Sequence, residues 1–484
     1  MKAAASVAIA LTALTVLMTW PLAPQAAGSL PGDYGDPLFS AWAMGWAFHS
    51  VTDALTRPAT LVEIWNANIF FPEAQTLAFG EHFIGQSLLT LPVYWITRNV
   101  ILAYNTAFFA TFVLSGLGMF LLVRSLLDDG REPRRRRGDV LAGAAAAVLV
   151  AFNRNRLVDD ISHLAILSIH WLPFALLGFH RYLVTDRRGA LAGGAVALVA
   201  LNLSSVAYTS LCAPLVFAFV LIEMIRHRRM GELRVWLELW AAAAAVVLVT
   251  LPFVIPYIQV RQRFGVGGVL MNLVTETPNT GPLAIIAFVV IALTVALGIG
   301  ILASHRPKPA AALVAVALAG YLWHVHPGSI GIDQPLPSDE LAPPATYLKP
   351  APELPAIYRE VDALGSDVVL LELPFGEPSY DLRYMFFAGG HGRRLANGHS
   401  AIVPPSFLAR RHVLARPLLD PERAVQTLAG VTHVIVHRGA WRDGTGTAVA
   451  AWLETLGGQL IAGRDGALLF QMQSSERLAR ADVR

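Results

Sequence analysis

A chain of 484 residues, 55% apolar and only 15% charged, with mean hydropathy +0.52, carries more apolar surface than water-facing domains can hide. Its net charge of +3 is concentrated in arginine clusters between apolar runs, a pattern that membrane topology accounts for and that argues against nucleic acid as a partner. One cysteine, Cys212, excludes an intrachain disulfide and a thiolate metal cluster, and its apolar run makes it a packed core thiol.

The apolar runs suit helices that rise ~1.5 Å per residue across a hydrocarbon core ~30 Å thick. They predict about nine spans, near 4–23, 101–123, 139–153, 164–183, 189–206, 208–225, 235–258, 282–303 and 309–324. The first reads as a retained span, although Ala26, Ala27 and Gly28 resemble a processing site, because its run is longer than a signal core and more membrane protein follows. Arg131 with Arg134 to Arg137, Arg187-Arg188, Arg226 with Arg228 and Arg229, and Arg306 with Lys308 fall in alternate joins, which the positive-inside rule makes cytoplasmic. Met1-Lys2 is then inside, and residues 24–100, 154–163, near 207, 259–281 and everything after 325 are outside.

Two segments of the first outer loop read as helices lying at the membrane surface. Residues 83–97 are apolar, but counting them as a span would place the four consecutive arginines outside; Pro92, Tyr94 and Trp95 fit an interfacial or re-entrant helix. In residues 38–55, Leu38, Trp42 and Trp46 recur on one helical face. After residue 325 prolines and charges return, so the chain divides into a membrane domain at 1–325, a Pro-rich linker at 326–355 and a mixed α/β extracytoplasmic domain at 356–484. Within the last, strands are predicted near 368–373, 432–436, 459–462 and 467–471, with helices near 353–364, 420–429 and 446–456.

Chemistry-bearing residues gather in the outer joins. Gly32-Asp33-Tyr34-Gly35-Asp36-Pro37 offers two carboxylates where the first span ends; either could take a hydroxyl proton or bind a divalent cation, and the same residues suit a plain turn. Glu81-His82 precede the interfacial helix, where a first-turn role competes with binding. Arg154, Arg156, Asp159, Asp160 and His163 give the second outer join an unusual charge density; in a continuing helix Asp159 and His163 would share a face, as a metal pair or an oriented base does, and the same residues suit solvated charges at the interface. Arg261 and Arg263 could fork onto phosphate oxygens or snorkel to the interface. His170, inside the fourth span, reads as a buried, hydrogen-bonded packing residue. No P-loop, Gly-x-Gly-x-x-Gly, His-Glu-x-x-His or Gly-x-Ser-x-Gly pattern occurs, which disfavours an ATP-driven motor or a serine hydrolase.

The layout resembles the GT-C superfamily of integral membrane glycosyltransferases, distantly the protein mannosyltransferases and aminoarabinose transferases. More locally, Gly32 to Trp46, Asn68-Ile69-Phe70-Phe71-Pro72, Glu81-His82, Ala103-Tyr104-Asn105, Leu114-Ser115-Gly116, and His163 through Trp171-Leu172-Pro173 are similar to an uncharacterised bacterial branch. Leu371-Glu372-Leu373-Pro374, Arg383-Tyr384-Met385 and Asn397-Gly398-His399-Ser400 extend the likeness into the outer domain. The resemblance implies a multi-pass helical protein of the bacterial cytoplasmic membrane. It also implies inverting transfer of a sugar from a polyprenyl-phosphate donor to a glycan, lipid or protein acceptor outside. Asp33 or Asp36 would be the base, matching the family's first-loop Asp; Glu81, His82, Arg154, Arg156, Asp159, Asp160, His163, Arg261 and Arg263 are candidate substrate-binding residues by their place in the outer joins alone. A cofactor is not implied beyond a divalent cation, for which Asp33, Asp36 and His163 are candidates. Two other classes compete: a transporter or lipid flippase, and a non-catalytic envelope assembly protein.

Overall fold

The computed structural model describes residues 2–128, 136–265, 282–305, 307–338, 341–344, 348 and 353–472. Arg131, Arg134, Arg135 and Arg306, on which the predicted orientation partly rests, lie outside the described residues, as do residues 266–281 of the predicted outer join. In chain order the main helices are α1 (Lys2–Met18), α2 (Asp36–Ala54), α3 (Ile84–Thr97), α4 (Val100–Leu127), α5 (Arg136–Ala151), α6 (Trp171–Thr185), α7 (Arg188–Ser204), α8 (Val206–Arg226), α9 (Leu233–Phe264), α10 (Pro282–His305) and α11 (Pro307–Val325). There follow α12 (Ala356–Asp362), β1 (Val369–Leu373), α13 (Pro378–His391), β2 (Arg394–Leu395), α14 (Pro405–Leu414), α15 (Pro421–Thr427), β3 (His433–His437), α16 (Thr445–Thr455), β4 (Gln459–Arg464) and β5 (Ala467–Gln471). They form two compact units, each discontinuous in sequence: Met1–Gln25, Phe83–Thr90 and Asn105–Ile330 make one, and Ala26–His82, Leu91–Tyr104 and Gly331–Arg484 the other.

The first unit is a helical bundle. Five described helical segments are long and apolar enough to cross a membrane: Val100–Leu127, Leu164–Thr185, Leu233–Phe264, Ile286–Ala303 and Lys308–Val325. Apolar side chains cover the outside of the later ones, with Leu248 73%, Val316 72% and Ile301 65% exposed. Such surface belongs in lipid, and the chain is in this sense a membrane protein. The predicted spans at 4–23 and 189–206 are met by α1 and α7, apolar but 17 residues each, somewhat less than ~30 Å at ~1.5 Å per residue. Inside, α6 and α7 cross at glycines: a Cβ at Gly178 would lie 2.5 Å from the Cα of Gly194. Small residues at such a crossing bring helix backbones into contact where lipid supplies no hydrophobic drive. Leu172, Leu176, Tyr182, Leu201 and Tyr208 pack around them, and Cys212 is buried as its run requires.

The predicted span at 164–183 is broken near its start. A short turn, Leu164–Leu167, stops at Ser168 and α6 resumes at Trp171. The Gln86 amide donates to Ser168 Oγ at 2.8 Å and to the Ser204 carbonyl at 2.7 Å, so one buried side chain serves this break and the end of α7.

The second unit is built on a five-stranded sheet of order β2-β1-β3-β5-β4, with β2, β1 and β3 parallel and β5 and β4 antiparallel. All four predicted strands are present, and β1 is buried along its whole length. The sequence reading missed α13, α14 and the two-residue β2. Residues of the first outer loop are part of this unit. Phe70 and Phe71 donate backbone hydrogen bonds to the carbonyls of Asn397 and Leu395, and Leu395 donates to the carbonyl of Asn68, so the Asn68-to-Phe71 motif extends the β2 edge. Helix α2 packs on α13, with Trp42 against Gly389. Leu38 and Trp42 are each 1% exposed, and the Trp42 and Trp46 indoles donate to Asn68 Oδ1 and the Ile64 carbonyl. The face predicted to lie on the membrane therefore meets protein at these residues, because its aromatic N–H groups find internal acceptors.

Candidate functional site

In the helical unit, α5 ends at Ala151 and the chain makes a π-helical turn, Asn155–Asp159. Asn153 builds it: its Oδ1 accepts from the Arg156 N–H at 3.1 Å, and Asp160 N–H reaches back to the Asn155 carbonyl at 2.6 Å. A π turn places one residue more per turn than an α-helix and is frequent at functional sites. It also changes the register. Asp159 points to solvent, and His163 Nδ1 lies 3.8 Å from Oδ1 of buried Asp160 instead, which corrects the predicted Asp159–His163 face.

The turn's main product is Arg156. Its side chain is 0% exposed, and none of Nε, Nη1 and Nη2 has a hydrogen-bond acceptor among the described residues. The guanidinium carbon sits 5.0 Å from the centre of the Phe112 ring. Burial pushes its pKa down to about 10, while Tyr208 and Asp160 hold it up through space, so it keeps its charge at neutral pH. A buried guanidinium with unmatched donors is costly unless an anion meets it. His170 lies within electrostatic reach of Arg156. It is buried at the break before α6, and neither ring nitrogen has a partner among the described residues, so the expectation of a hydrogen-bonded packing histidine fails there. The Tyr208 hydroxyl donates to the Ile166 carbonyl and closes the cluster. Arg154 is exposed; Arg261 and Arg263, in the last turn of α9, are half-buried and exposed, Arg263 lying over Phe264.

Asp33, Asp36, Glu81 and His82 belong to the other unit. Residues 30–34 pair with 331–334: Gly32 N–H donates to the Gly331 carbonyl, Tyr34 N–H to the Gln334 carbonyl, and Leu30 N–H to the Asp333 carboxylate. Asp33 is half-buried and its Oδ1 accepts from Gly35 N–H at 2.9 Å, the turn geometry that its sequence allowed. Asp36 is exposed at the first position of α2. Its carboxylate acts through space on His399, and with Asp33 on Tyr104, a wholly buried tyrosine whose hydroxyl has no partner among the described residues. Tyr34, its hydroxyl bonded to Asp333, is within electrostatic reach of Arg383; burial pushes its phenol up. His82 packs edge-on to Trp65 with centroids 5.8 Å apart, and burial pushes its pKa down to about 3, leaving it neutral. Glu81 is half-buried.

Beneath these residues lies a polar core that the sequence reading did not nominate. Glu372, in the middle of β1 and 0% exposed, accepts from the Tyr358 hydroxyl at 2.8 Å and pairs with His437 Nε2 at 2.7 Å. Asn397 bonds both backbone groups of Glu372 and donates to Asp381 Oδ1 at 2.8 Å. Burial holds the Asp381 carboxyl well above the ordinary range. Beside it, a cleft of about 990 Å³ opens next to the loops following β1 and β3, lined by Pro374, Phe375 and Trp441 and by Arg411, Arg416 and Arg442 with Glu377 and Asp443. Strand β1 neighbours β2 on one side and β3 on the other, the switch point beside which ligands bind in open α/β sheets. The signal for Arg383 and His399 was present in the motifs Arg383-Tyr384-Met385 and Asn397-Gly398-His399-Ser400, although neither residue was assigned a role from sequence. Among the described residues no group of three metal-capable side chains forms around Asp33, Asp36 or His163. No protein-family model matches the chain, and no curated protein matches it.

Proposed function

We propose that the chain transfers a sugar from a polyprenyl-phosphate donor to an extracytoplasmic acceptor in a bacterial cytoplasmic membrane, with nine spans and a cytoplasmic N-terminus. The observation that carries the donor class is Arg156, a buried, charged guanidinium with unmatched donors inside a lipid-facing bundle. A phosphate monoester or diester supplies the acceptor oxygens that it lacks, and a prenyl chain suits the apolar surroundings. Asp36 is the preferred base, because it is exposed at the start of α2 and its carboxylate acts through space on His399. In this reading the acceptor hydroxyl gives its proton to Asp36, its oxygen bonds to the anomeric carbon, and the sugar–phosphate bond breaks with inversion, releasing polyprenyl phosphate. The arginine-lined cleft of the sheet unit suits an anionic acceptor.

The test is incubation of membranes containing the full chain with labelled polyprenyl-phosphate sugar. Label should move to an acceptor in wild type and in Asp33→Asn, and should stay on the donor in Asp36→Asn. Full transfer by Asp36→Asn would remove the base assignment. A lipid transporter is the second reading, favoured by the buried polar cluster of Arg156, Asp160 and His170 within the bundle. Flux of donor across proteoliposomes without a covalent product would select it.

A further inference from the structure

The helical unit holds a second polar cluster, formed by His180 in α6 and by Glu223 and His227 at the end of α8. Glu223 and His227 are four residues apart and so share a helical face, onto which His180 projects from its neighbour. His180 Nδ1 lies 2.5 Å from Glu223 Oε2, His227 Nε2 lies 3.3 Å from the same oxygen, and the three atoms are all within 4.8 Å of one another. His180 and Glu223 are 4% exposed and His227 is 23% exposed.

The hydrogen bonding fixes which atoms can act as ligands. His180 Nε2 lies 3.1 Å from the Ser125 carbonyl, which can only accept, so Nε2 carries a hydrogen and Nδ1, hydrogen-bonded to Glu223 Oε2, is the atom left to face an incoming metal ion once that shared proton is displaced. His227 Nε2 is buried and forms no hydrogen bond despite its closeness to Glu223. The other carboxylate oxygen, Oε1, is taken by Arg226 at 3.3 Å. Three Lewis bases therefore converge. A proton on His180 would satisfy one of these contacts; a metal ion satisfies all three. A backbone carbonyl behind a ligating imidazole is also the usual arrangement that orients such a ligand.

We infer that His180, Glu223 and His227 bind a divalent transition-metal ion, zinc by the chemistry of two imidazoles and one carboxylate. Ligand bonds near ~2.1 Å put tetrahedral donors ~3.4 Å apart, close to the 3.3 Å found between His227 and Glu223, and the His180 contact needs to open by under ~1 Å. Arg226 weakens the site by its charge and at the same time keeps Glu223 monodentate. The ion would tie α6 to α8, with α4 behind through Ser125.

The test uses the full chain in detergent, carrying no histidine tag, stripped with chelator, re-equilibrated with zinc or cobalt and desalted. Wild type should retain about one zinc per chain, and cobalt should give the visible absorption of a tetrahedral site. His227→Asn alters a partly exposed side chain at a helix end, and should lose at least about ten-fold in zinc affinity while eluting from gel filtration as wild type does. His180→Gln should do the same. Wild type that retains no zinc under these conditions, or variants that bind it as tightly as wild type, overturns the inference. Neither readout depends on sugar transfer.

Discussion

Asn397 makes the sharpest stability prediction. Its side chain makes three buried hydrogen bonds: Oδ1 accepts from Glu372 N–H at 2.8 Å, and Nδ2 donates to the Glu372 carbonyl at 2.9 Å and to Asp381 at 2.8 Å. Asn397 and Glu372 are both 0% exposed, so water cannot replace what an alanine removes. Each orphaned buried group costs about 1–3 kcal/mol, so Asn397→Ala should destabilise the sheet unit by roughly 3–5 kcal/mol, at the high end for one substitution. For a unit of this size that lowers the melting temperature by about 6–20 °C. Thermal melts of the detergent-solubilised chain would report it, and hydrogen exchange at the amides of β1 would locate it. A change below about 0.5 kcal/mol, typical of an unconstrained surface position, would refute the role of Asn397 as the hub of this core.

The neighbouring Gly398→Ala should cost about 1–3 kcal/mol, because a Cβ there would lie 2.7 Å from the Phe70 ring, itself 1% exposed and packed edge-on to Phe407; an unchanged melting temperature would contradict that packing. Mild acid should destabilise the sheet unit through His82 and His391, both pushed down to about 3 by burial. Below the unfolded value near 6.5 the unfolded chain binds protons that the folded one refuses, so stability is full above that pH and falls by about 1 kcal/mol per histidine between pH 6.5 and 5.5. Melts across that window, flattened by His391→Phe, would check it. Asp381 acts in the opposite sense: its raised carboxyl keeps a proton that the unfolded chain loses, so its contribution worsens as pH rises above the unfolded carboxylate value. Asp381→Asn should therefore gain stability relative to wild type at pH 8 more than at pH 5, and an equal difference at both would count against it.

What was legible in the sequence is what local pattern encodes. Long apolar runs marked the membrane helices, and short apolar runs bounded by polar or turn residues marked β1, β3, β4 and β5. Helices α13 and α14 escaped because their interiors mix aromatic residues, glycines and arginines without an apolar period, although Pro378 and Pro405 stand at starting positions that favour proline. The break at Ser168 was hidden because its compensating partner, Gln86, is 82 residues away. Spacing also misled where the backbone departs from α geometry: the π turn at 155–159 moved the partner of His163 from Asp159 to Asp160. Arg156 was nominated for its charge, but its burial is a property of the fold. The polar core at Glu372 joins groups 25 and 65 residues apart, and no window along the chain contains them.

The central claim, that Arg156 holds the donor's phosphate, is tested most directly by measuring the affinity of the full chain in nanodiscs for a labelled polyprenyl-phosphate sugar, comparing wild type, Arg156→Gln and Arg154→Gln. Loss of a buried charge-assisted contact of about 1.5–3 kcal/mol predicts binding roughly 10- to 150-fold weaker in Arg156→Gln. Removing an unmatched buried charge predicts equal or higher thermal stability in the same variant, and exposed Arg154 should be replaceable with little effect. Undiminished affinity in Arg156→Gln would contradict the account.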